Sequence, residues 1–217
     1  YLSNVQADFI IQEFITYDIE LGVLYYRYPN APTGKVTSVT RKEFLAVLGD
    51  GKSNVGQLMQ KSTRARFQVA SMRKRLGDMG MNEVIKSGEK RILEPIGNHC
   101  RGTKFLDNNF LLNSKLNEVF DKIALTIDGF HYGRFDMKVK SIEDLYSGKN
   151  IRIMELNGVS SEPGHIYDPK NTLWAAYRDL ARHWKIIADI SIQQQRRGIM
   201  PVPLGILWKV VKGHFVS

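Results

Sequence analysis

Cysteine is almost absent from this chain, and long apolar runs are absent altogether. Cys100 is the one cysteine in 217 residues, so there is no internal disulfide framework, which is typical of a reducing compartment. No apolar run approaches the roughly 20 residues that a helix needs to cross a bilayer, and no signal peptide is visible at the start. These absences predict a cytoplasmic protein. The chain begins with Tyr1 rather than methionine, which predicts that an N-terminal segment is missing.

The composition is that of an ordinary globular protein with an excess of basic over acidic residues. Hydrophobic residues make up 43% of the chain and charged residues 24%, so a sizeable core can form. The formal net charge of +9 makes nucleic-acid binding a hypothesis to test against the motifs. The basic residues are spread along the chain, without zinc-finger spacing or the aromatic and basic motif of an RNA-binding sheet. We therefore expect no nucleic-acid partner.

The apolar pattern predicts a mixture of strands and helices. β-Branched and aromatic residues predict a β-hairpin formed by residues 8–15 and 21–29, and alternation predicts a third strand over residues 35–44. Helical spacing predicts one helix with Ser114 as its N-cap and a shorter helix capped by Ser141. Strands and helices do not alternate as βαβ units, so the pattern indicates an α+β fold rather than a doubly wound sheet.

Two apolar patterns near the end of the chain predict further packing. A long helix carries Trp174, Tyr177, Trp184 and two alanines on one stripe, which we interpret as core. The tail over residues 193–217 combines apolar residues with spaced basic ones. We expect this tail to pack on the domain, with contact to a protein partner or to a membrane surface as the alternatives.

Polar side chains lie on one face of two strand-like segments in the second half of the chain. In "GRFDMKV", Arg134, Asp136 and Lys138 share a face because residues two apart in a strand point to the same side. In "IRIMELNG", the same rule groups Glu155 and Asn157 with the two isoleucines of the strand. The segment between them is short and contains a helical turn. We therefore expect the two strands to be antiparallel neighbours.

This pairing predicts three oxygen-bearing side chains, those of Asp136, Glu155 and Asn157, on one surface. Two carboxylates brought together repel each other, and their burial is costly unless the charge is compensated. Arg134 and Lys138 supply one form of compensation, and the cluster is then an ordinary ion-pair network. A divalent cation supplies the other, since Mg²⁺ prefers oxygen ligands and is typically held by one or two carboxylates together with substrate phosphates. The spacing leaves both interpretations open.

The same two segments resemble the metal-binding signature of the ATP-grasp superfamily, in particular carboxylate–amine ligases of the D-alanine–D-alanine ligase type. In that family an Arg-x-Asp strand is followed by a strand that ends in Glu-x-Asn. The resemblance implies that Asp136, Glu155 and Asn157 hold two Mg²⁺ ions, or Mn²⁺ as an alternative, that bridge the phosphates of ATP. It also implies that Arg134 stabilises charge on the transferred phosphoryl group.

A second resemblance lies near the start of the chain. The stretch "QEFITYDIE" is similar to the hinge segment of the family, in which a glutamate begins a run that contacts adenine and an acidic residue seven positions later contacts the ribose. The match implies that Glu13 and Glu20 have these two roles, and that the backbone of Phe14 and Ile15 lies against the base. The family's glycine-rich loop and a phosphate-binding lysine before the hinge have no counterpart here, which agrees with a missing N-terminal segment.

Further candidates lie outside these two motifs. His99 and Arg101 are candidate contacts to a carboxylate or phosphate, Arg101 because its guanidinium offers a bidentate fork, although His99 is also explained as an ordinary loop residue. Lys42 is a candidate phosphate contact, although a solvated lysine is the ordinary interpretation. Ser160 and Ser161 follow the Glu-x-Asn pair in a glycine and serine loop, where they are candidates for positioning an acceptor substrate.

The resemblance implies an ATP-grasp-like α+β fold, with antiparallel sheets flanked by helices and the nucleotide between two subdomains. Residues 1–50 are assigned to the end of the central subdomain, 51–192 to the C-terminal subdomain and 193–217 to a tail. The implied activity is Mg²⁺- and ATP-dependent ligation of a small-molecule carboxylate to an amine through an acyl phosphate, although the fragment need not be active alone. Asp136 and Glu155 are further apart than in D-alanine–D-alanine ligases, which argues against that specific substrate. The alternatives are a non-catalytic interaction module with this fold and a basic nucleic-acid-binding domain.

Overall fold

The computed structural model describes residues 9, 11–95, 97 and 102–215 of the chain. Over these residues, strands and α-helices are interspersed and are joined by loops and short 3-10 turns. The strands are β1 (Ile19–Tyr26), β2 (Lys35–Glu43), β3 (Leu45–Leu48), β4 (Lys90–Glu94), β5 (Lys104–Asp107), β6 (Tyr132–Val139) and β7 (Ile151–Asn157). The helices are α1 (Val55–Lys61), α2 (Val69–Asn82), α3 (Ser114–Leu125), α4 (Ile142–Ser147), α5 (Leu173–Arg196) and α6 (Leu204–Phe215).

Five strands form one antiparallel sheet in the order β5-β2-β1-β6-β7. Every second residue of β1 and β6 is apolar, so one face of the sheet is apolar and the other carries the polar residues. Helices α3 and α4 cover the apolar face. The main core there consists of Leu21, Val23, Tyr25, Leu116, Phe120, Phe135, Met137 and Leu145 with their neighbours.

The second face of this sheet is covered over part of its area. Helix α5 packs across one end, where Ile186 and Ile190 contact Leu24 and Tyr132. The rest of this face is not covered by α5, and the cleft described below lies on it.

A second hydrophobic core lies in the segment between β2 and β5. Strands β3 and β4 pair in a separate two-stranded antiparallel sheet, against which α1 and α2 pack. Asn54 caps α1 in a reciprocal capping box with Gln57, so the short helix has a well-defined start. This core consists of Leu45, Val47, Val55, Leu58, Met59, Met72, Met81, Ile85 and Leu93, among others.

The predicted α+β class, with antiparallel sheets flanked by helices, is confirmed. The predicted division at residue 50 stays a prediction, but the strands β1 and β2 before it share a sheet with β6 and β7 after it. The predicted hairpin is wrong, because residues 11–17 have no regular secondary structure and β1 forms its hairpin with β2. Both edges of β1 are taken by β2 and β6, so a third strand cannot pair with it whatever its β-propensity.

The predicted helix starts are correct to within one residue. Ser141 caps α4 by accepting a hydrogen bond from the amide of Asp144, as predicted. The cap of α3 is Asn113 rather than Ser114, and its side chain accepts from the amide of Leu116. Either residue type is a good N-cap, and the backbone conformation decides between them.

The aromatic stripe of α5 is exposed, so its interpretation as core is wrong. Trp174 is 84% exposed and Trp184 69%, whereas the buried residues of the helix are His183, Ile186 and Ile190. Both stripes have helical spacing. Which of them is covered depends on where the sheet lies, and periodicity does not contain that information.

The start of the tail is tied to the domain, since Nη1 of Arg197 donates to the carbonyl of Pro29 at 3.3 Å. Residues 199–214 are all exposed, including the whole described surface of α6, so the expectation that the tail packs on the domain is wrong for these residues. Of the helices in the described ranges, none is long and apolar enough to cross a membrane.

Candidate functional site

A cleft of about 850 Å³ lies over the polar face of the five-stranded sheet. Its volume is in the usual range for small-molecule sites. Strands β1, β2, β6 and β7 contribute to its lining, together with the segment that precedes β1. The lining contains these predicted site residues: Glu13, Phe14, Ile15, Glu20, Lys42, Arg134, Asp136, Glu155 and Asn157.

Lys42 lies at the floor of the cleft between two carboxylates. Its Nζ is 3.1 Å from Oε1 of Glu20 and 3.3 Å from Oδ2 of Asp136, and all three side chains are less than a tenth exposed. Lys42 therefore compensates the buried charge of both carboxylates. The ordinary interpretation of Lys42 as a solvated lysine is wrong.

Arg134 binds Asp136 from the same strand. Residues two apart in β6 share a face, and the guanidinium donates from Nε to Oδ1 at 2.9 Å and from Nη2 to Oδ2 at 3.2 Å. Its third nitrogen, Nη1, donates to the carbonyl of Glu162 at 3.4 Å. Such a bidentate pair holds a guanidinium in a defined plane at the edge of the cleft.

β7 pairs with β6 as predicted, but with a β-bulge. Asp136 lies opposite Glu155, while Met137 lies opposite Ile153, so Met154 is the extra residue. The bulge shifts the alternation of β7 by one position. Consequently Ile151 packs against the core on the apolar face, so the expectation that it shares a face with Glu155 and Asn157 is wrong. Ile153, by contrast, is 43% exposed and lines the cleft with them.

The shifted register places the three predicted oxygen ligands together. Asn157 donates from Nδ2 to Oδ2 of Asp136 at 3.3 Å. Glu155 is exposed at the cleft, opposite Asp136, and within the described ranges its side chain makes neither a hydrogen bond nor an ion pair. Its carboxylate can therefore accept a cation or a hydrogen-bond donor of a ligand.

This donor set fits a hard divalent cation in its chemistry. Two carboxylates and an amide oxygen are ligands of the kind that Mg²⁺ accepts, while substrate and water complete its coordination. Asn157 now presents its nitrogen to Asp136, so the amide would have to turn over to present its oxygen. No cluster of three or more His, Cys, Asp or Glu side chains suited to a metal is found among the described residues. The set of Asp136, Glu155 and Asn157 has only two residues of those types.

The segment before β1 is tied to the cleft by Lys138. Nζ of this lysine donates to the carbonyl of Ile15 at 3.0 Å and lies 5.7 Å from the centre of the Phe14 ring. It also lies 5.9 Å from the ring of Phe44, the residue between β2 and β3. Glu13 and Phe14 themselves are exposed, so the segment presents its backbone and one aromatic ring at the rim of the cleft.

The loop after β7 is held by its own contacts. The hydroxyl of Ser161 lies within hydrogen-bonding distance of the carbonyls of Asn157 and Gly158, and the side chain is buried. Tyr132 donates to the carbonyl of Ser161, and burial raises the pKa of this tyrosine to about 12, so it remains a donor at neutral pH. Neither Ser160 nor Ser161 lines the cleft, and Ser161 meets the candidate Asn157 through the backbone carbonyl of that residue only. The candidates His99 and Arg101 lie outside the described residues.

A buried histidine joins the same loop to the sheet and to α5. His165 contacts Ser38 Oγ through Nδ1 at 2.8 Å and Asp179 Oδ2 through Nε2 at 3.1 Å. The sequence reasoning missed this connection, as it missed Arg152 and Phe105 in the cleft lining. Arg152 lies opposite Lys138 in the register of β6 and β7. Strict alternation along β7 would place Arg152 on the face opposite Glu155. Only the bulge brings both residues to the cleft, and the sequence pattern does not show the bulge.

No model of a protein family matches the chain, and no curated protein matches it in sequence. The candidate function therefore depends on the cleft and on the motifs that line it.

Proposed function

We propose that the cleft binds ATP with Mg²⁺ and that the chain belongs to an ATP-grasp ligase that joins a carboxylate to an amine. The observation that supports this most is the convergence of the two family-like motifs on one cleft. Lys138 and Ile15 are hydrogen-bonded although they are 123 positions apart. The hinge-like segment thus lies beside the strand that carries Arg134 and Asp136, as a nucleotide shared by both motifs requires.

The segment before β1 would bind the base and the ribose. The backbone of Phe14 and Ile15 offers amide and carbonyl groups for the edge of adenine, as the resemblance implies, with Glu13 at the start of the segment. Glu20 is the candidate for the ribose hydroxyls. It is paired with Lys42, so a ribose at this site would share Glu20 with the lysine.

Lys42 and Arg134 would bind the phosphates. In the structure both cations are paired with Asp136. The phosphate oxygens of a nucleotide bound beside Asp136 would give each cation a second anionic partner. Asp136, Glu155 and Asn157 would hold Mg²⁺, which when bound offsets charge on the phosphates as the phosphoryl group is transferred. Positioning and charge compensation would then supply most of the rate acceleration, without a side-chain nucleophile.

The proposed reaction has two steps. An oxygen of the substrate carboxylate attacks the terminal phosphorus of ATP, and the bond to the bridging oxygen breaks, which leaves an acyl phosphate and ADP. The amine then attacks the acyl carbon, inorganic phosphate leaves with the bonding electrons, and the amine loses a proton. A nucleotide site between two subdomains and small-molecule carboxylate and amine substrates are parts of the same proposal.

Calorimetric titration of the 217-residue chain with ATP tests the binding step. We expect a stoichiometric site that requires Mg²⁺ or Mn²⁺ and disappears with EDTA. Absence of metal-dependent ATP binding would contradict the proposal and would favour an interaction module. Release of ADP, screened against amino acids and small peptides in pairs, then tests the ligation. Affinity for DNA or RNA that falls steeply with salt would instead favour the nucleic-acid alternative.

A further inference from the structure

The last helix presents a large apolar surface to solvent. Trp208 is 69% exposed, Leu204 81% and Val210 65%, although these are residues that normally lie in a core. Every side chain of helix α6 that the structure describes, from Leu204 to His214, is exposed. A helix with this composition is not stable as a freely solvated element, so we expect something to cover it.

The polar residues of α6 lie on one side. Lys209 and Lys212 are three positions apart and share a side with Gly205 and Gly213, because positions three and four apart are neighbours on a helix. The opposite side carries Leu204, Leu207, Trp208 and Val211. Apart from His214, the remaining described side chains of the helix are apolar. Trp208 is next to Lys212 on the helix surface, at the boundary between the two sides.

The charge around this helix has one sign. Residues 190–217 contain Arg196, Arg197, Lys209 and Lys212 but no aspartate and no glutamate. The surface that α6 binds must therefore accommodate the broad apolar face of the helix. It must also be anionic around that face, because the segment carries several positive charges and no negative charge.

A second copy of the chain does not fit these requirements well. The helix has 12 residues and is therefore only about 18 Å long. A stable dimer usually buries about 800 Å² on each partner, which is more than one face of so short a helix supplies. Two such helices would also bring their basic segments together without a compensating acid.

We propose that α6 binds the surface of an anionic lipid bilayer. The helix would lie in the plane of the interface, with its apolar side in the boundary between head groups and acyl chains and with Trp208 at that boundary. Lys209 and Lys212 would remain at the level of the lipid phosphates. Gly198, with a φ of +85°, ends α5, and Pro201 and Pro203 separate it from α6. The surface helix is thus a distinct element, and the proposal does not depend on the nucleotide site.

Cosedimentation of the full chain with vesicles tests this proposal. We expect binding to vesicles of phosphatidylcholine with phosphatidylglycerol, much weaker binding to phosphatidylcholine alone, and loss of the difference at high salt. Each lysine near an anionic surface adds about fivefold to the partition coefficient. The double variant Lys209→Gln/Lys212→Gln should therefore bind about 25-fold more weakly. The matched control Lys115→Gln/Lys122→Gln, at two exposed positions of α3, should bind as the unaltered chain does.

Two further measurements make the assignment to α6 falsifiable. Lipids brominated on their acyl chains should quench tryptophan fluorescence, and this quenching should be lost in Trp208→Phe. Leu207→Asp should abolish binding to both kinds of vesicle without changing the elution volume of the chain in size-exclusion chromatography. Quenching that persists in Trp208→Phe would assign the contact to the aromatic stripe of α5. A dimer that Leu207→Asp converts to a monomer would assign the apolar face to a second copy. Either result overturns the proposal, as does equal binding of the two lysine double variants.

Discussion

Gly22 of β1 lies directly opposite Asp136 of β6, and the absence of a side chain at Gly22 makes room for the Arg134–Asp136 pair. A Cβ atom at position 22 would lie 3.1 Å from Oδ1 of Asp136 and 3.3 Å from Cδ of Arg134. Both distances are shorter than an ordinary van der Waals contact. A side chain at position 22 would therefore press on the ion pair, which would have to shift by a few tenths of an ångström.

Gly22→Ala should weaken Mg-ATP binding more than it weakens the fold. The added methyl group pushes the carboxylate and the guanidinium away from the sheet, and we expect about a tenfold rise in the dissociation constant and a loss of about 1 kcal/mol in the free energy of unfolding. Calorimetry and urea denaturation measure the two effects. Gly205→Ala, where a Cβ would meet no atom within 4 Å, serves as the control. Unchanged affinity in Gly22→Ala would show that the position of the pair is not needed for binding.

Lys42→Met should be strongly destabilising. The substitution keeps the approximate length of the side chain but leaves Glu20 without its cation and Asp136 with Arg134 alone. Removal of one partner from a buried ion pair typically costs about 3 kcal/mol in the free energy of unfolding. The double variant Lys42→Met/Glu20→Gln should recover part of this loss, because one of the two carboxylates is then neutral.

Urea denaturation of the two variants checks this expectation. Lys115→Met, at an exposed position of α3, is the matched control and should be nearly neutral. A double variant that is less stable than Lys42→Met would mean that the lysine stabilises the cleft by packing rather than by charge.

Glu155→Gln and Asp136→Asn should each abolish ATP turnover and leave the chain folded. Each change removes one negative charge from the proposed magnesium ligands, and we expect at least about a hundredfold loss, the scale seen when one electrostatic contact to a transition state is removed. ADP release with the substrate pair found by screening gives the rate. Glu118→Gln and Asp128→Asn, both at exposed positions, are the controls. Near-normal turnover in both cleft variants would refute the assignment.

The stability of the protein should fall on mild acidification because of His183. Burial lowers the pKa of this imidazole below its ordinary value of 6.5. The ring has its hydrogen bonds in the neutral form, with Nδ1 donating to the carbonyl of Asp179 and Nε2 accepting from the hydroxyl of Thr37. The unfolded chain therefore takes up a proton at a higher pH than the folded protein does.

The sign of the effect follows from this difference. The free energy of unfolding should decrease as the pH falls through about 6.5, by up to about 1.4 kcal/mol per pH unit, and should level off below the pKa of the folded state. Urea denaturation between about pH 7.5 and 5.5 measures the slope. His183→Gln should reduce this slope, and His131, whose pKa burial also lowers, should account for part of what remains. An unchanged slope in His183→Gln would assign the dependence to other groups.

Much of the fold could be predicted from local patterns. Alternation of apolar residues predicts β2, and the short connection between β6 and β7 predicts that they pair. Cap residues predict the starts of α3 and α4 to within one position. These features depend on residues a few positions apart, which is the range that periodicity and capping describe. The failed hairpin shows the limit of such reasoning, because a segment of high β-propensity becomes a strand only where an edge is free to pair.

The candidate site, like the fold, could be predicted only in part. The residue types and their period of two are sufficient to place Arg134 beside Asp136 and Glu155 beside Asn157. The bulge at Met154, however, decides which face of β7 meets the cleft, and it depends on the match between two whole strands.

The sequence by itself determined the strands β1, β2, β6 and β7, the helices α3, α4 and α5, and the set of polar residues from which a site could be built. Only the tertiary structure decided that Lys42 lies buried between Glu20 and Asp136, that the aromatic stripe of α5 faces solvent, and that the described side chains of α6 are exposed. Burial and register depend on which distant elements meet, since each is a balance of packing and charge across the whole sheet. A local pattern predicts that a face is apolar, but not what will cover it.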